Sequence, residues 1–472
     1  MDVRSSETET AFRRTATYAA SSGAIAAVVA TPVVFVPAYG RVLGTLAVLV
    51  FAGLASRAAL GAALAFRPLA ALGPGDADLP SATAAAPRDA DPPTVSVVVA
   101  AYDEADTLPA TVEACRRLDY PDDRLEVLLC YEAASTDGTE RVAEAATAGD
   151  PRFRVCRRDA DPGGKAAMAN FGLERATGDV VAFVDAGQRP EPDALRRAVG
   201  WFRADDDVWC VKGRCWGTNA DGSLVALHAT VERHFAERGE FVAREVASGF
   251  TLFTGGLAVF RRTAFERLGP LDEGVLLEDV EFASRIHAGG RGVRVDPGIV
   301  SAETNPESLA SWWSRRKRWA RGGMQVARRY VGTLPLNSNL SRVARVDAAL
   351  TFGSLLALPL LILALPAVAI GHADGGAATF LPGERALVAL AGVVALASPP
   401  LVLLRDRLDG RPHSLREYAA VVTLPLYFAV EAAAVVTAFL DEFVLRRPTV
   451  YVPSDRPGSA AGGRSDGGRR EE

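Results

Sequence analysis

Lysine is nearly missing from this 472-residue chain: Lys165, Lys212 and Lys317 stand against 49 arginines, which reads as the coding bias of a GC-rich genome. Cysteine is scarce too. Cys115, Cys130, Cys156, Cys210 and Cys215 form no CxxC pair, which excludes a disulfide framework and a zinc ribbon and points to reduced thiols. The five histidines do not cluster in sequence, so a histidine-rich metalloenzyme is not expected. A formal net charge of −5 is too mild and of the wrong sign for a protein that binds nucleic acid by neutralising phosphates. What is abundant is apolar: 49% of residues are hydrophobic and only 23% charged, enough for a large core and for membrane segments.

Charge and hydropathy divide the chain. Residues 91–307 carry 38 acidic and 25 basic side chains, whereas residues 311–345 carry nine basic ones and no acid. An acidic body followed by a basic strip beside apolar runs suits a soluble domain seated on an anionic membrane face. Uncharged or nearly uncharged runs at 15–40, 42–66, 348–371, 386–404 and 418–440 are each long enough for a ~30 Å hydrocarbon core. The first run lacks a cleavage site and reads as an anchor. The expected organisation is a cytoplasmic segment 1–14, a two-helix transmembrane hairpin 15–66 and a linker 67–93 rich in Pro, Ala and Asp. A catalytic-sized domain 94–325 follows, then a basic juxtamembrane segment 326–347, three spans within 348–440 and a flexible tail 441–472.

Basic flanks place the large domain in the cytoplasm, with the loops at Arg41 and Asp374 outside, so a multi-pass cell-membrane protein is expected. One conflict stays open. Three C-terminal spans put the tail outside although it carries Arg446 and Arg447; either it crosses against the rule or 418–440 does not fully span. Ionisable residues inside spans face protein or water, which suggests that Arg57 and Glu431 pair or line one cavity.

The middle region alternates strand and helix signals. VSVVVAAY (95–102), LEVLLCYE (125–132), FRVCRR (153–158) and DVVAFVDA (179–186) read as strands, with a helix over 165–176, which predicts parallel β-α-β units. Ligands of such sheets sit at the carboxyl ends of the strands, where Tyr102, Glu132 and Asp185 fall. Each motif also has a bland reading: STDG (135–138) is a turn and helix cap, Gly-Gly-Lys165 a solvated loop, and Glu278-Asp279 a pair of acids favoured by a helix dipole.

Taken together, VSVVVAAYDEADTL, LEVLLCYEAASTDGT, GGKAAMANFG, GDVVAFVDAG, GGLAVFRRTAF, LLEDVEFASRIHAGG and RRKRWARGG resemble, in order over about 94–325, a family 2 glycosyltransferase. The resemblance implies an α/β GT-A fold, a Rossmann-like and mainly parallel sheet with flanking helices, joined to transmembrane helices as in membrane-bound polysaccharide and glycolipid synthases. It implies an inverting transfer from a nucleotide sugar to a membrane lipid or growing glycan, with no nucleic-acid partner. Asp279 is then the catalytic base. Tyr102, Glu132, Lys165, Asp185 and Arg318 bind the donor, and Trp319 and Glu278 face the acceptor. The family's Asp-x-Asp pair, which holds Mn²⁺ or Mg²⁺, keeps only Asp185 as a metal ligand, because Gly187 replaces the second acid. Restoring an acid there is expected to lower the metal requirement. Ala133 and Arg315 also depart from the pattern, which leaves open a catalytically silent, sugar-binding relative. Among enzymes, a polyprenyl-phosphate glycosyltransferase is the alternative.

Overall fold

A computed structural model describes residues 3–67, 72–74, 92–373 and 379–448. Most of the expected linker, the Asp374 loop and the tail beyond 448 lie outside the described residues.

The runs read as strands form one half of an eight-stranded sheet. Strands β1 (Val95–Ala101), β2 (Leu125–Glu132), β3 (Phe153–Arg158) and β4 (Val180–Asp185) pair in the order β3-β2-β1-β4, all parallel. Buried on both faces, Val97, Val99, Leu129 and Val184 pack on one side, and Val98, Leu128, Cys130 and Phe183 on the other. Beyond β4 the sheet departs from the parallel expectation. The remaining strands are β5 (Arg189–Pro190), β6 (Val208–Gly217), β7 (Ala258–Arg261) and β8 (Gly292–Glu303). Strand β7 pairs antiparallel with β4 and β6, β8 runs parallel to β6, and β5 closes the edge. The sheet is mixed. Strands β6 and β8 escaped the sequence reading because they bury charge: Lys212 pairs with Glu237, Arg214 meets Asp406 at 2.7 Å, and Asp296 holds Arg197 at 3.0 Å.

All five cysteines are buried free thiols. Among the described residues, five helices are long and apolar enough to cross a membrane: Thr15–Val33, Ala38–Ala65, Arg342–Pro366, Glu384–Leu408 and Leu415–Val444. The expected Arg57–Glu431 pair does not form. Arg57 bonds Asp347, donates to Thr351 at 3.0 Å and lies 3.6 Å from Glu240, while Glu431 takes Arg316 at 3.3 Å. The sheet domain and the neighbouring apolar helix supply nearer partners than the far helix does.

Candidate active site

Four of the residues singled out from sequence converge where β4 ends. The parallel strands stop at the same level, so Asp185, last residue of β4, is carried to the carboxyl edge of the sheet. The helix Gly164–Leu173 begins there with Lys165, and the helix Glu278–Ala288 begins there with its two acids. The Lys165 Nζ lies 2.8 Å from Asp185 Oδ1 and 3.9 Å from Glu278 Oε1. The backbone N–H of Gly256 donates to Asp185 Oδ2 at 3.3 Å.

Asp279 completes the cluster. Its Oδ1 accepts the Val280 N–H at 2.8 Å, which leaves Oδ2 for the cleft. The cleft is kept open by Gly255, whose φ is +58°. A Cβ there would lie 3.3 Å from Lys165 Nζ, 3.6 Å from Asp185 Oδ2 and 3.9 Å from Asp279 Oδ2. Gly255 and Gly256 were quoted within a motif, but no role was read for them. The signal was the Gly-Gly pair just before a buried strand, where the chain must bring its backbone close to the site.

One ammonium among three carboxylates sets the electrostatics. Burial opposes the Lys165 charge, but Asp185, Glu278 and Asp279 outweigh it and hold its pKa above the ordinary value. Burial lifts the Glu278 carboxyl to about 7 against the pull of Lys165, and Asp279 adds repulsion. Asp279 is also raised by burial, opposed by Lys165 and Arg318.

The remaining sequence-derived residues fall around this cluster. Arg318, half-buried on the helix Leu309–Tyr330, acts electrostatically on both Glu278 and Asp279. Trp319 lies next to it, its ring within 4.8–5.3 Å of the guanidinium carbons of Arg315, Arg316 and Arg233. Tyr102 follows β1 and is half-buried. Glu132, at the end of β2, is 3% exposed and takes two contacts of 2.9 and 3.0 Å from Arg158, a residue that sequence reasoning passed over as a strand end. The STDG segment makes its turn and cap: Asp137 accepts the Thr139 N–H at 3.0 Å. Arg315, standing where the resemblance has glutamine, lies 3.9 Å from Glu303, and burial lowers its pKa to about 10. Glu303 also takes Arg233 at 2.9 Å and the Gln188 amide at 2.7 Å, linking the loop after Asp185 to the helix of Trp319.

Asp185, at the end of β4, offers hard oxygen ligands to a divalent ion. Gly187 contributes none, and its backbone shows why an acid does not simply fit there. Its φ is +88° and its N–H donates to Thr111 Oγ1 at 2.9 Å. Gly187→Asp is therefore expected to cost roughly 1–2 kcal/mol in backbone strain, contrary to the simple gain that the missing acid suggested. Thermal unfolding with and without Mn²⁺ should show a lower midpoint and no tighter metal response; a stronger Mn²⁺ response would mean that the loop relaxes to admit the ligand. A second set of metal-ligating side chains, His234, Asp406 and His413, is brought together from distant sequence, but Asp406 is engaged by Arg214 and by His413 at 3.0 Å.

Residues 96–269 match the family described as Glycosyl transferase family 2. Over 244 residues the chain is 29% identical to the probable glycosyltransferase YdaM of Bacillus subtilis (strain 168), covering 51% of this chain and 57% of that relative. It is also 29% identical over 245 residues to the beta-monoglucosyldiacylglycerol synthase of Synechocystis sp., covering 49% and 48%. The chain thus spans about half the length of the curated relatives it matches. The mannosyltransferase PcManGT of Pyrobaculum calidifontis, solved with GDP-Man and Mn2+, superposes on 77% of this chain and 92% of its own at a TM-score of 0.51 and 25% identity. A mixed sheet with acids at its carboxyl edge, a family match through that edge and a glycosyltransferase neighbour of the same fold agree: the chain carries a glycosyl transferase family 2 domain with the GT-A fold.

Proposed function

We propose that the protein is an inverting glycosyltransferase that moves a sugar from a nucleotide-sugar donor to a hydroxyl of a membrane-associated glycan or lipid. The observation that carries this is the Asp279 Oδ2, buried, facing the Gly255 cleft and set beside Lys165 and Asp185. In this reading Asp279 takes the acceptor proton as the hydroxyl oxygen attacks the anomeric carbon. The bond from that carbon to the donor diphosphate breaks, and the diphosphate leaves with the electron pair. Lys165 and Arg318 place positive charge where that negative charge develops. Glu132, with Arg158, borders the nucleotide side, together with Tyr102. Trp319 and Glu278 border the acceptor side. A bound Mn²⁺ or Mg²⁺, held by Asp185, would neutralise diphosphate oxygens. Five apolar helices and a relative named as a glycolipid synthase support the membrane acceptor.

The test is to give membranes containing the protein labelled UDP- and GDP-sugars and to follow label into solvent-extractable lipid and polymer. Label in neither, with any donor, would overturn the proposal.

A pH dependence follows. With Glu278 lifted to about 7 and Asp279 raised beside it, the acid pair binds a proton well above the ordinary carboxylate range. A base must be deprotonated to act, so kcat/KM should fall as pH drops through about 7 rather than near 4. Glu278→Gln removes the neighbouring charge and should move that limb to lower pH. An unmoved limb would assign it to another group.

A further inference from the structure

The last apolar helix lies along a charged helix of the catalytic domain. At one end of Leu424–Phe439, Trp312 Nε1 and an Arg316 Nη each donate to Tyr427 Oη at 2.8 Å, and Arg316 reaches Glu431 at 3.3 Å. Beyond its other end, Arg321 Nε and Gln325 Nε2 donate to Glu442 Oε2 at 2.8 and 3.0 Å, Lys317 pairs with Asp441, and Arg321 reaches the Pro448 carbonyl at 3.1 Å. At 1.5 Å per residue the contacted stretches rise about 20 Å from Trp312 to Gln325 and about 22 Å from Tyr427 to Glu442, so the two helices run side by side.

The charged helix cannot cross hydrocarbon. Arg315, Arg316, Lys317, Arg318 and Arg321 fall within the contacted stretch, and each basic residue at a span centre costs ~2.5–3.5 kcal/mol on insertion scales. Its other face is fixed to the catalytic domain, where Gln325 Oε1 accepts the Leu276 N–H at 3.1 Å and Tyr330 Oη donates to Glu281 at 2.8 Å. Both ends of Leu424–Phe439 therefore lie at the level of that domain.

An independent contact agrees. Tyr18, near the start of the first apolar helix, donates to Asp441 Oδ1 and accepts from Lys317 Nζ, both at 2.8 Å. Other long helices have one end at the domain: Arg57 lies 3.6 Å from Glu240, Asp347 accepts the Phe250 N–H at 2.9 Å, and Asp406 takes Arg214 at 2.7 Å. Their opposite ends meet elsewhere, where the Phe380 N–H donates to Thr45 Oγ1 at 3.0 Å.

We infer that Leu424–Phe439 is an in-plane helix seated at the lipid interface, so that the described helices cross the bilayer four times and Asp441–Pro448 returns to the catalytic side. Lipid acyl chains are its outward partner: Leu426 is 69% and Phe428 44% exposed. Tyr427 and Trp312 place amphipathic rings at head-group level. The arrangement also puts Arg446 and Arg447 on the side where the other basic residues lie, which removes the charge conflict noted in the sequence. The inference rests on the membrane reading proposed above and not on the reaction.

Sidedness tests it. Pro412→Cys precedes the helix, Ser454→Cys follows it in sequence, and Pro382→Cys, exposed beside Phe380, marks the opposite side; the native cysteines are buried and give little background. An impermeant maleimide on right-side-out vesicles should label Pro382→Cys at once, and Pro412→Cys and Ser454→Cys several-fold more only after permeabilisation. Pro412→Cys and Ser454→Cys on opposite sides would overturn the in-plane helix while leaving the membrane reading intact. A protein recovered wholly in the soluble fraction would overturn both.

Discussion

Asp279→Asn is expected to lower turnover by about 10²–10⁴-fold while changing donor affinity little, because a positioned base supplies that factor in attack by a neutral hydroxyl. The substitution keeps the shape of the side chain, and the Val280 N–H still finds an oxygen acceptor at the helix start. It removes one of three carboxylates around Lys165, so the cluster loses repulsion and the fold should hold. The size of the loss identifies the acceptor. A sugar or lipid hydroxyl has a proton to lose; a lipid phosphate is already anionic and has none. Initial rates beside calorimetric donor binding measure the two effects separately. An Asp279→Asn protein that kept more than about a tenth of its turnover would exclude the hydroxyl acceptor, by the same base-catalysis argument.

The parts of this fold that showed in the sequence are those where burial leaves a one-dimensional trace. Strands β1, β2 and β4 are continuous apolar runs because both faces are covered, whereas the edge strand β3 alternates charged and apolar residues. Strands β6 and β8 left no such trace. Their charges, Lys212, Arg214 and Asp296, are paired by residues 25 to 192 positions away or by the helix Ala194–Ala204, and no local pattern announces that pairing. The site divides in the same way. Lys165, Asp185, Glu278 and Asp279 each sit at an element end, which spacing can locate. Their convergence, and the role of Gly255 in keeping the cleft open, depends on four segments meeting in space. The same holds for His234 and His413, scattered in sequence yet with ring centroids 4.7 Å apart. Runs long and apolar enough to cross a membrane were visible from hydropathy alone, whereas the partners of Arg57 and Glu431 needed the sheet domain in place.

The second large effect should come from Lys165→Met. The ammonium is the one lysine charge in the cluster, 2.8 Å from Asp185 and 3.9 Å from Glu278, and its side chain is 24% exposed. Removing a preorganised cationic donor aimed at developing charge costs about 10²–10³-fold in kcat by the precedent of oxyanion-type sites. The loss should appear in kcat more than in acceptor KM, since the charge on the departing diphosphate grows toward the transition state. Glu278 and Asp279 would then lose the pull of the nearby ammonium while Arg318 remains, and their pKa values should climb further, so the acid limb of the rate profile should move to higher pH. The same excess of negative charge should favour a divalent cation. Lys165→Met is therefore expected to gain thermal stability from added Mn²⁺ while losing turnover, and the unmodified protein to gain less. Lys165→Arg restores charge with a bulkier, planar group and should recover the Mn²⁺ response of the parent without its full rate. Thermal unfolding across a Mn²⁺ series, run beside steady-state kinetics, measures both effects. A Lys165→Met protein with parental turnover would show that the leaving diphosphate is stabilised elsewhere, and would remove Lys165 from the proposed chemistry.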